Sequence, residues 1–376
     1  MGIKILIINP WTGYIGPNTF FQQLAQLIID RSYIVTVIYP FEDEISLKFK
    51  KQGVTFIYTQ IISPIHYNSN FYKLINYMHK EINFYFFLKK INFKYDYCFI
   101  NSELFSFSLF SLSKNVNKFN IVHSLSFTSS IRFSRLLFSL QKINNIANIA
   151  VSKIVMNNIK KIYPKSKTLH FYNGVNIDEA FKRKINMSID AKFKILCVLH
   201  PVPHKGAHHL LDVLYKLKKL NLDFVCNIVG WDSNSSDLFY KKNIENKLLE
   251  YNLQDIVHLL PSTRDLKNYF VNANVFVHPS ESESFGYVIA EAMSFELPVV
   301  AFDVGAISEI VKNNISGFLI QPFDTIVMAE LIKKILIARD LNLDFGISGR
   351  KIICNYFNQK INMNILINYC LNVQNS

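Results

Sequence analysis

The feature that most constrains this chain is an alternation of apolar runs and helical segments that starts twice. The first series opens with the apolar run Lys4 to Asn9, followed by apolar residues at helical spacing from Thr19 to Asp30 and a second run from Tyr33 to Tyr39. The second series opens at Lys194 to Leu199. Because strand–helix–strand alternation is typical of a parallel sheet covered by helices on both faces, we predict two similar α/β domains.

The domain limits follow from this restart and from a polar segment before it. A chain of 376 residues suits two domains of ordinary size. We predict a first domain at residues 1–181, a second at residues 182–355, and a final helix at residues 356–376 that packs back on the first domain. The charged segment from Asp178 to Asp190 is the predicted linker.

Cysteine use and hydropathy favour a cytoplasmic protein. The five cysteines are far apart and have neither metal-ligand nor redox spacing, which is typical of reduced thiols. The first apolar stretch stops at Asn9-Pro10 and is too short for a signal peptide. No run approaches the roughly 20 apolar residues that a membrane-spanning helix needs.

Positive charge is concentrated in the first half of the chain. Residues 1–181 hold 20 Lys and Arg against 9 Asp and Glu, whereas residues 182–376 hold 21 against 19. Such an excess predicts an anionic partner for the first half: a membrane surface, a phosphorylated acceptor or nucleic acid. Since no nucleic-acid recognition motif is present, we expect none to bind.

Two glutamates lie on either side of a predicted helix start in the second half. Seven residues separate Glu283 from Glu291, and Ser-Phe-Gly between them opens a helix. A helix start has unpaired backbone N–H groups and roughly half a positive charge, so it binds phosphate without a cationic side chain. A carboxylate inside such a helix can accept two hydrogen bonds from a vicinal diol. The alternative is two solvated acids beside an ordinary helix.

The stretch from Pro279 to Ala306 resembles the donor-site signature of GT-B retaining glycosyltransferases of family four. The resemblance implies two Rossmann-like parallel-sheet domains facing a cleft, with the nucleotide sugar held mainly by the second. It also implies that Glu283 contacts the transferred sugar and that Glu291 grips the ribose. The backbone amides of Phe285 and Gly286 would hold the diphosphate.

Other segments match the family in order, with one departure. Asn173-Gly174-Val175-Asn176 resembles the segment between the domains, and Gly230 ends a strand-to-loop turn near the nucleotide base. The loop after Leu199 normally supplies an Arg and then Lys-Gly to the diphosphate. Lys205 occupies the Lys position, but His200 replaces the Arg and lacks its fork of donors. Lys205 is therefore the main predicted cation and His200 a helper, unless either is simply a solvated side chain.

The resemblance places two further residues in the first domain. The loop after the first strand, Gly13-Tyr14-Ile15-Gly16-Pro17-Asn18, stands where the family has a glycine-rich loop, so Gly16 would let the backbone approach the donor phosphate. His123, at the end of a predicted strand, would lie beside the donor sugar. It would bind a hydroxyl or stabilise charge at the reacting carbon. A plain turn and a structural histidine are the alternatives.

The predicted function is transfer of a sugar from a nucleoside diphosphate sugar to a saccharide or lipid-linked saccharide, with retention. The resemblance implies a role in surface polysaccharide or lipopolysaccharide biosynthesis. We expect no cofactor and no metal, because no Asp-x-Asp pair ends a strand. A nucleotide-sugar epimerase, a phosphorylase or an inactive relative of the same fold remains an alternative. A dinucleotide-dependent oxidoreductase is disfavoured, since the first loop lacks Gly-x-Gly-x-x-Gly spacing.

Two stretches of the first domain mix basic and aromatic residues. The first runs from Tyr72 to Lys94, and the second from Ile131 to Lys142. The second has the pattern of an amphipathic helix with a basic face, which suits an anionic lipid surface or an ordinary solvated helix equally well. We therefore predict a cytoplasmic protein that could make peripheral contact with the inner face of the membrane.

Overall fold

The computed structural model describes residues 2–12, 16–62, 71–91, 94–102, 108–123, 135, 139–178, 181, 192–231, 237–263 and 265–372, with side chains at all of these except 71–77 and 339. Within these residues the chain forms two compact units. The first unit comprises Met1–Asn173 and Lys360–Ser376, and the second comprises Gly174–Gln359. Each unit contains one parallel sheet, so the predicted pair of α/β domains is confirmed.

The first unit is built on a seven-stranded sheet in the order β3-β2-β1-β4-β5-β6-β7, in which every pairing is parallel. Its strands are β1 (Lys4–Ile8), β2 (Ile34–Tyr39), β3 (Thr55–Tyr58), β4 (Tyr97–Ile100), β5 (Asn117–Val122), β6 (Ile146–Ala150) and β7 (Thr168–His170). The central strands are buried almost throughout. Both faces of a parallel sheet are covered by helices, which is why these strands are continuous apolar runs.

The described helices between the strands of the first unit include α1 (Gly16–Asp30), α2 (Glu44–Lys50), α3 (Phe71–Ile91) and α4 (Lys153–Ile162). In α1 the buried apolar residues Phe20, Phe21, Leu24 and Ile28 recur every three or four positions. This spacing places them on one face of the helix, which packs on the sheet. The helical segment predicted from Thr19 to Asp30 is therefore present.

The second unit is built on a six-stranded sheet in the order β10-β9-β8-β11-β12-β13, also wholly parallel. Its strands are β8 (Phe193–Val198), β9 (Phe224–Val229), β10 (Val257–Leu260), β11 (Val275–His278), β12 (Val299–Phe302) and β13 (Gly317–Ile320). Its helices are α5 (Ala207–Lys219), α6 (Leu238–Glu250), α7 (Lys267–Asn272), α8 (Tyr287–Ser294), α9 (Ile307–Ile310), α10 (Thr325–Ile337) and α11 (Arg339–Tyr356). One apolar cluster joins this sheet to α5 and α10.

The last helix, α12 (Gln359–Asn372), returns to the first unit. There the Tyr97 hydroxyl donates to the carbonyl oxygen of Leu371 at 3.2 Å, and Arg31 donates to the Asn364 side chain at 2.6 Å. The ring of Tyr369 lies 5.6 Å from that of Phe171. The helix begins three residues after the predicted start at 356.

The division between the units falls at Asn173, whereas we predicted it after residue 181. Val175 explains the difference, because its N–H donates to the Phe357 carbonyl and its carbonyl accepts from Gln359, at 2.9 and 3.0 Å. Asp178 is likewise held within the second unit by Lys267, with 2.9 Å between the charged atoms. Of the linker predicted between 178 and 190, only Asp178 and Phe181 are among the described residues.

Of the two predicted basic and aromatic stretches, the one that begins at Tyr72 lies mostly within the described residues. The first forms most of α3, whereas the second lies outside the described residues except for Arg135 and residues 139–142. Among the helices that are described, none is both long and apolar enough to cross a membrane.

Each sheet has a position at which its strand order reverses. In the first unit this position lies between β1 and β4, and in the second between β8 and β11. In open parallel sheets, loops leaving the carboxyl ends of strands diverge at such a point and form a crevice that binds ligands. The loops after these four strands are therefore the places in which to examine functional side chains.

Candidate functional site

The loops after β8 and β11 carry most of the predicted site residues. In the first of these loops, a 3-10 turn at Pro203–Lys205 leads to Gly206, which has a φ of 75° and precedes α5. A Cβ at Gly206 would lie 1.9 Å from the Pro279 carbonyl oxygen. Glycine is required here because it alone permits both the left-handed conformation and this close approach between the two loops.

The two loops are joined by an ion pair between predicted site residues. The Nζ of Lys205 lies 2.9 Å from Oε2 of Glu283. Both side chains are half-buried, with exposed fractions of 25% and 15%. In addition, the backbone N–H of Glu281 donates to the carbonyl oxygen of His204 at 2.9 Å, which holds the loops together beside the pair.

His278, at the end of β11, lies beside this pair and was not among the predicted site residues. Its Nε2 is 3.4 Å from Oε2 of Glu283, its exposure is 2%, and neither ring nitrogen has a hydrogen-bond partner among the described residues. Burial by itself raises the pKa of Glu283, but the contacts with His278 and Lys205 outweigh it and lower that pKa to about 2. Glu283 is therefore ionised at neutral pH. A polar residue ending an otherwise apolar strand was the signal that could have identified His278.

Glu291 has the opposite electrostatic environment. It is partly buried in α8, and among the described residues its carboxyl group makes no hydrogen bond or ion pair. Burial raises the pKa of Glu291 to about 7. The two glutamates of the motif thus differ in protonation near neutral pH, and a carboxyl group of this kind can both donate and accept hydrogen bonds.

The helix start between the two glutamates has backbone donors to offer. Gly286 is the N-cap of α8 and has a φ of 103°. Among the described residues, nothing accepts a hydrogen bond from the N–H of Phe285 or Gly286. The Phe285 side chain is 3% exposed and packs against the rings of Tyr287 and Phe357. Phe285 can therefore contribute only its backbone to a ligand.

Gly230 and His200 lie where β9 and β8 end. Gly230 has a φ of 108°, and a Cβ there would lie 2.3 Å from the Leu199 carbonyl oxygen, so its first role is close packing of the two strand ends. His200 follows Leu199 and its side chain is exposed. The structure does not bring the His200 ring into contact with Lys205 or Glu283.

The first unit has its own buried polar cluster after β1, β4 and β5. The Asn101 side-chain amide donates to Oδ1 of Asn9 and to the Pro17 carbonyl, each at 2.7 Å. Its Oδ1 is therefore the acceptor that lies 2.7 Å from Nε2 of His123. This assigns the ring proton of His123 to Nε2 and leaves Nδ1 as an acceptor.

His123 and Gly16 are thus held at the carboxyl edge of the first sheet. Burial lowers the pKa of His123 to about 3, so the ring is neutral at physiological pH. Gly16 is the first residue of α1, and the next residue, Pro17, is fixed by Asn101. The rest of the predicted glycine-containing loop, residues 13–15, lies outside the described residues.

Part of the chain is similar to known proteins. Residues 178–352 match the family model described as glycosyl transferases group 1. An uncharacterized glycosyltransferase of Haemophilus influenzae is 28% identical over 168 residues, covering 44% of this chain and 46% of that protein. The capsular polysaccharide biosynthesis glycosyltransferase CapM of Staphylococcus aureus is 27% identical over 219 residues, 56% of each chain. The chain thus spans about half the length of these curated relatives.

A solved structure matches nearly the whole chain. The crystal structure of HepE from Anabaena in complex with UDP and glucose has a TM-score of 0.79 and 20% identity, covering 98% of this chain and 99% of that one. At this identity the likeness concerns the fold alone. The chain therefore has the two Rossmann-like domains of the GT-B fold, and the second unit contains the part that matches the family model.

Proposed function

We propose that this protein, whose residues 178–352 match the model of glycosyl transferases group 1, transfers a sugar from a nucleoside diphosphate sugar to a saccharide or lipid-linked saccharide acceptor. The observation that carries the proposal is the Lys205–Glu283 pair in the loops that lead to α5 and α8, together with the amides before α8 that have no acceptor among the described residues and the partly buried Glu291 within α8. Such a grouping offers donors to phosphate and acceptors to hydroxyl groups.

The proposed division of labour follows the chemistry of each group. The N–H groups of Phe285 and Gly286 would bind the diphosphate, because a helix start attracts anions. Glu291 would bind the ribose hydroxyls. Its raised pKa is compatible with this role, since a ribose diol requires no charged partner. Glu283 would accept hydrogen bonds from the transferred sugar.

Lys205 would act when the diphosphate leaves. The breaking bond leaves negative charge on the phosphate, and a fixed cation beside it lowers the barrier to departure. In the described structure this ammonium group is paired with Glu283. We propose that a bound donor phosphate becomes a second anionic partner of Lys205. Glu283 would then also accept hydrogen bonds from the transferred sugar.

Retention at the anomeric carbon, and the parts played by His123, Gly16, Gly230 and His200, are proposals that rest on the resemblance to family four. A neutral His123 with Nδ1 unprotonated could accept a hydrogen bond from a sugar hydroxyl. Gly230 would leave room for the nucleotide base, and His200 would assist Lys205. We propose that the transfer step needs no metal ion, since lysine and helix amides suffice for the charge.

For the acceptor, we propose a growing surface polysaccharide or lipopolysaccharide, handled on the cytoplasmic side of the membrane. The similarity to CapM, whose name places that relative in capsular polysaccharide biosynthesis, supports this class. The net charge of the first 181 residues suits an acceptor that carries phosphate. No nucleic-acid partner is proposed.

The experiment is a thermal-shift screen of the pure protein against UDP-, GDP- and ADP-sugars, followed by mass spectrometry of products. A ligand that binds only the folded state raises the Tm. The donor identified in this way should be consumed by the native protein and, at least about 100-fold more slowly, by Lys205→Ala and Glu283→Ala.

Three outcomes would reject this assignment. Full turnover in both variants would show that the pair is not in the active site. Products in which the sugar is epimerised, or released onto inorganic phosphate, would identify the epimerase or phosphorylase alternatives. Donor binding without any turnover, hydrolysis included, would identify an inactive relative.

A further inference from the structure

A group of potential metal ligands lies in the second unit, outside the residues assigned above. His208 and His209 are in the first turn of α5, and Glu281 is in the loop after β11. One ligand atom of each side chain lies within 4.8 Å of the other two. Among the described residues, this is the one such group of three. Glu281 is also two positions from Glu283, so the group stands beside the proposed donor site.

The distances fit the coordination sphere of a small transition-metal ion. Nε2 of His209 is 3.2 Å from Oε1 of Glu281, and Nε2 of His208 is 3.4 Å from the same oxygen. In a tetrahedral site with bonds of about 2.0–2.1 Å, neighbouring ligand atoms are about 3.3 Å apart. The two ring centroids are 3.9 Å apart. Little movement is therefore needed for all three ligand atoms to reach one ion.

A hydrogen bond at Nδ1 of His208 fixes the ring so that Nε2 faces Glu281. Nδ1 of His208 lies 2.8 Å from the Tyr240 hydroxyl oxygen. When a histidine binds a metal through one nitrogen, the other usually donates to such an oxygen, which fixes the ring and its tautomer. Lys247, whose Nζ lies 3.4 Å from the His208 carbonyl oxygen, is paired with Asp212 at 2.8 Å, which offsets its charge beside the site.

The ligands are also accessible. Their side chains are 14% to 32% exposed, so solvent reaches the site and a water molecule can serve as fourth ligand.

We propose that His208, His209 and Glu281 bind a divalent transition-metal ion of the zinc class, with water completing the coordination. Two imidazoles and one carboxylate are a ligand set that zinc accepts. The metal would join the start of α5 to the loop after β11. These segments carry Lys205 and Glu283. The ion would therefore hold the two segments together beside the donor site, and it would take no part in the transfer step.

The test uses untagged protein, stripped of metal with a chelator and then titrated with ZnCl₂ by calorimetry and with CoCl₂ by visible absorption. We expect one ion per chain, a raised Tm with ZnCl₂, and the intense visible bands of four-coordinate cobalt. Glu281→Gln and His209→Gln should each bind at least about tenfold more weakly, and Tyr240→Phe about tenfold more weakly. His258→Gln, an exposed histidine of the same unit, is the matched control and should bind as the native protein does.

The alternative is a hydrogen-bonded His–Glu–His group that takes no metal. In that case Glu281→Gln would lower the Tm of metal-free protein, while ZnCl₂ would leave the Tm of the native protein unchanged. That result would overturn the proposal. Weak binding of several ions, equal in native and variant proteins, would overturn it as well. Since no readout involves turnover, the outcome is independent of the proposed transferase activity.

Discussion

The ammonium group of Lys205 is 2.9 Å from the carboxylate of Glu283, although 78 positions separate the two residues in the chain. The pair connects the loops that leave β8 and β11, the two strands on either side of the reversal in strand order. It follows that a change in either residue alters both the charge of the candidate site and the link between its loops.

Removal of both partners should therefore cost less than the sum of the two single removals. We expect Lys205→Met and Glu283→Gln each to destabilise the protein, and the double variant to be less destabilised than the sum, with a coupling energy of about 1–2 kcal/mol. Urea unfolding of the four proteins measures this value. Strict additivity would contradict the ion pair. Lys267→Met, which breaks the more exposed pair with Asp178, is a control with an expected effect below about 1 kcal/mol.

Glu291 should make stability fall as pH rises. In the folded protein its pKa is about 7, above the ordinary value of 4.5. Between these pH values the folded state binds more protons than the unfolded state, so the free energy of unfolding decreases as pH rises through 7. Glu291→Gln removes this effect and should be more stable than the native protein at pH 8, by up to about 3 kcal/mol.

The measurement is urea unfolding of both proteins at pH 5 and pH 8, because the difference between them removes contributions from other titrating groups. A difference that does not change with pH would contradict the raised pKa. We expect Glu291→Gln to bind the nucleotide sugar more weakly in spite of its greater stability, since the substitution replaces one of the two acceptor oxygens that face the diol with an NH2 donor.

Gly206 should tolerate no side chain. With a φ of 75° and only 1.9 Å between a built Cβ and the Pro279 oxygen, Gly206→Ala should destabilise the protein by more than about 3 kcal/mol, measured by urea unfolding. Gly53→Ala is the matched control. Its φ is 90°, but nothing lies within 4 Å of a Cβ there, so only the backbone cost of about 1 kcal/mol is expected. Equal losses in the two variants would show that the close approach does not matter.

His123 should remain neutral across the physiological range. Burial holds its pKa near 3, below the ordinary 6.5, so this residue stabilises the folded protein above pH 6.5 and the stabilisation declines as pH falls from there. In NMR spectra we expect the His123 ring to keep the Nε2–H tautomer from pH 8 to pH 5. A titration midpoint above pH 6 would contradict the buried network with Asn101.

Helix α3 should contribute to any contact with anionic membranes. Met78, Ile82 and Phe86 are exposed at four-residue spacing along it, and Lys89 and Lys90 follow in its last turn. We expect sedimentation with phosphatidylglycerol vesicles and less with phosphatidylcholine vesicles, and a several-fold loss for Phe86→Ser. Phe239→Ser, at a more exposed site of the second unit, is the control. Equal binding by the two variants would remove α3 from the interaction.

Much of the architecture was predictable because it depends on local periodicity. The apolar runs Tyr33 to Tyr39 and Lys194 to Leu199 became β2 and β8, each within one residue of the predicted limits. The domain limit was harder to predict. The segment around Val175 is polar and turn-like, and its assignment depends on hydrogen bonds to Phe357 and Gln359, about 180 positions later.

The sequence by itself determined the two parallel sheets and the glutamate motif, since the period of apolar residues and the needs of a helix start are properties of one segment. Only the tertiary structure decided that Glu283 pairs with Lys205 beside His278, that Glu291 has no counter-charge among the described residues, and that His208 and His209 lie against Glu281. The reason is physical: pairing, burial and pKa depend on distances between atoms, and folding brings together residues that are far apart in the chain.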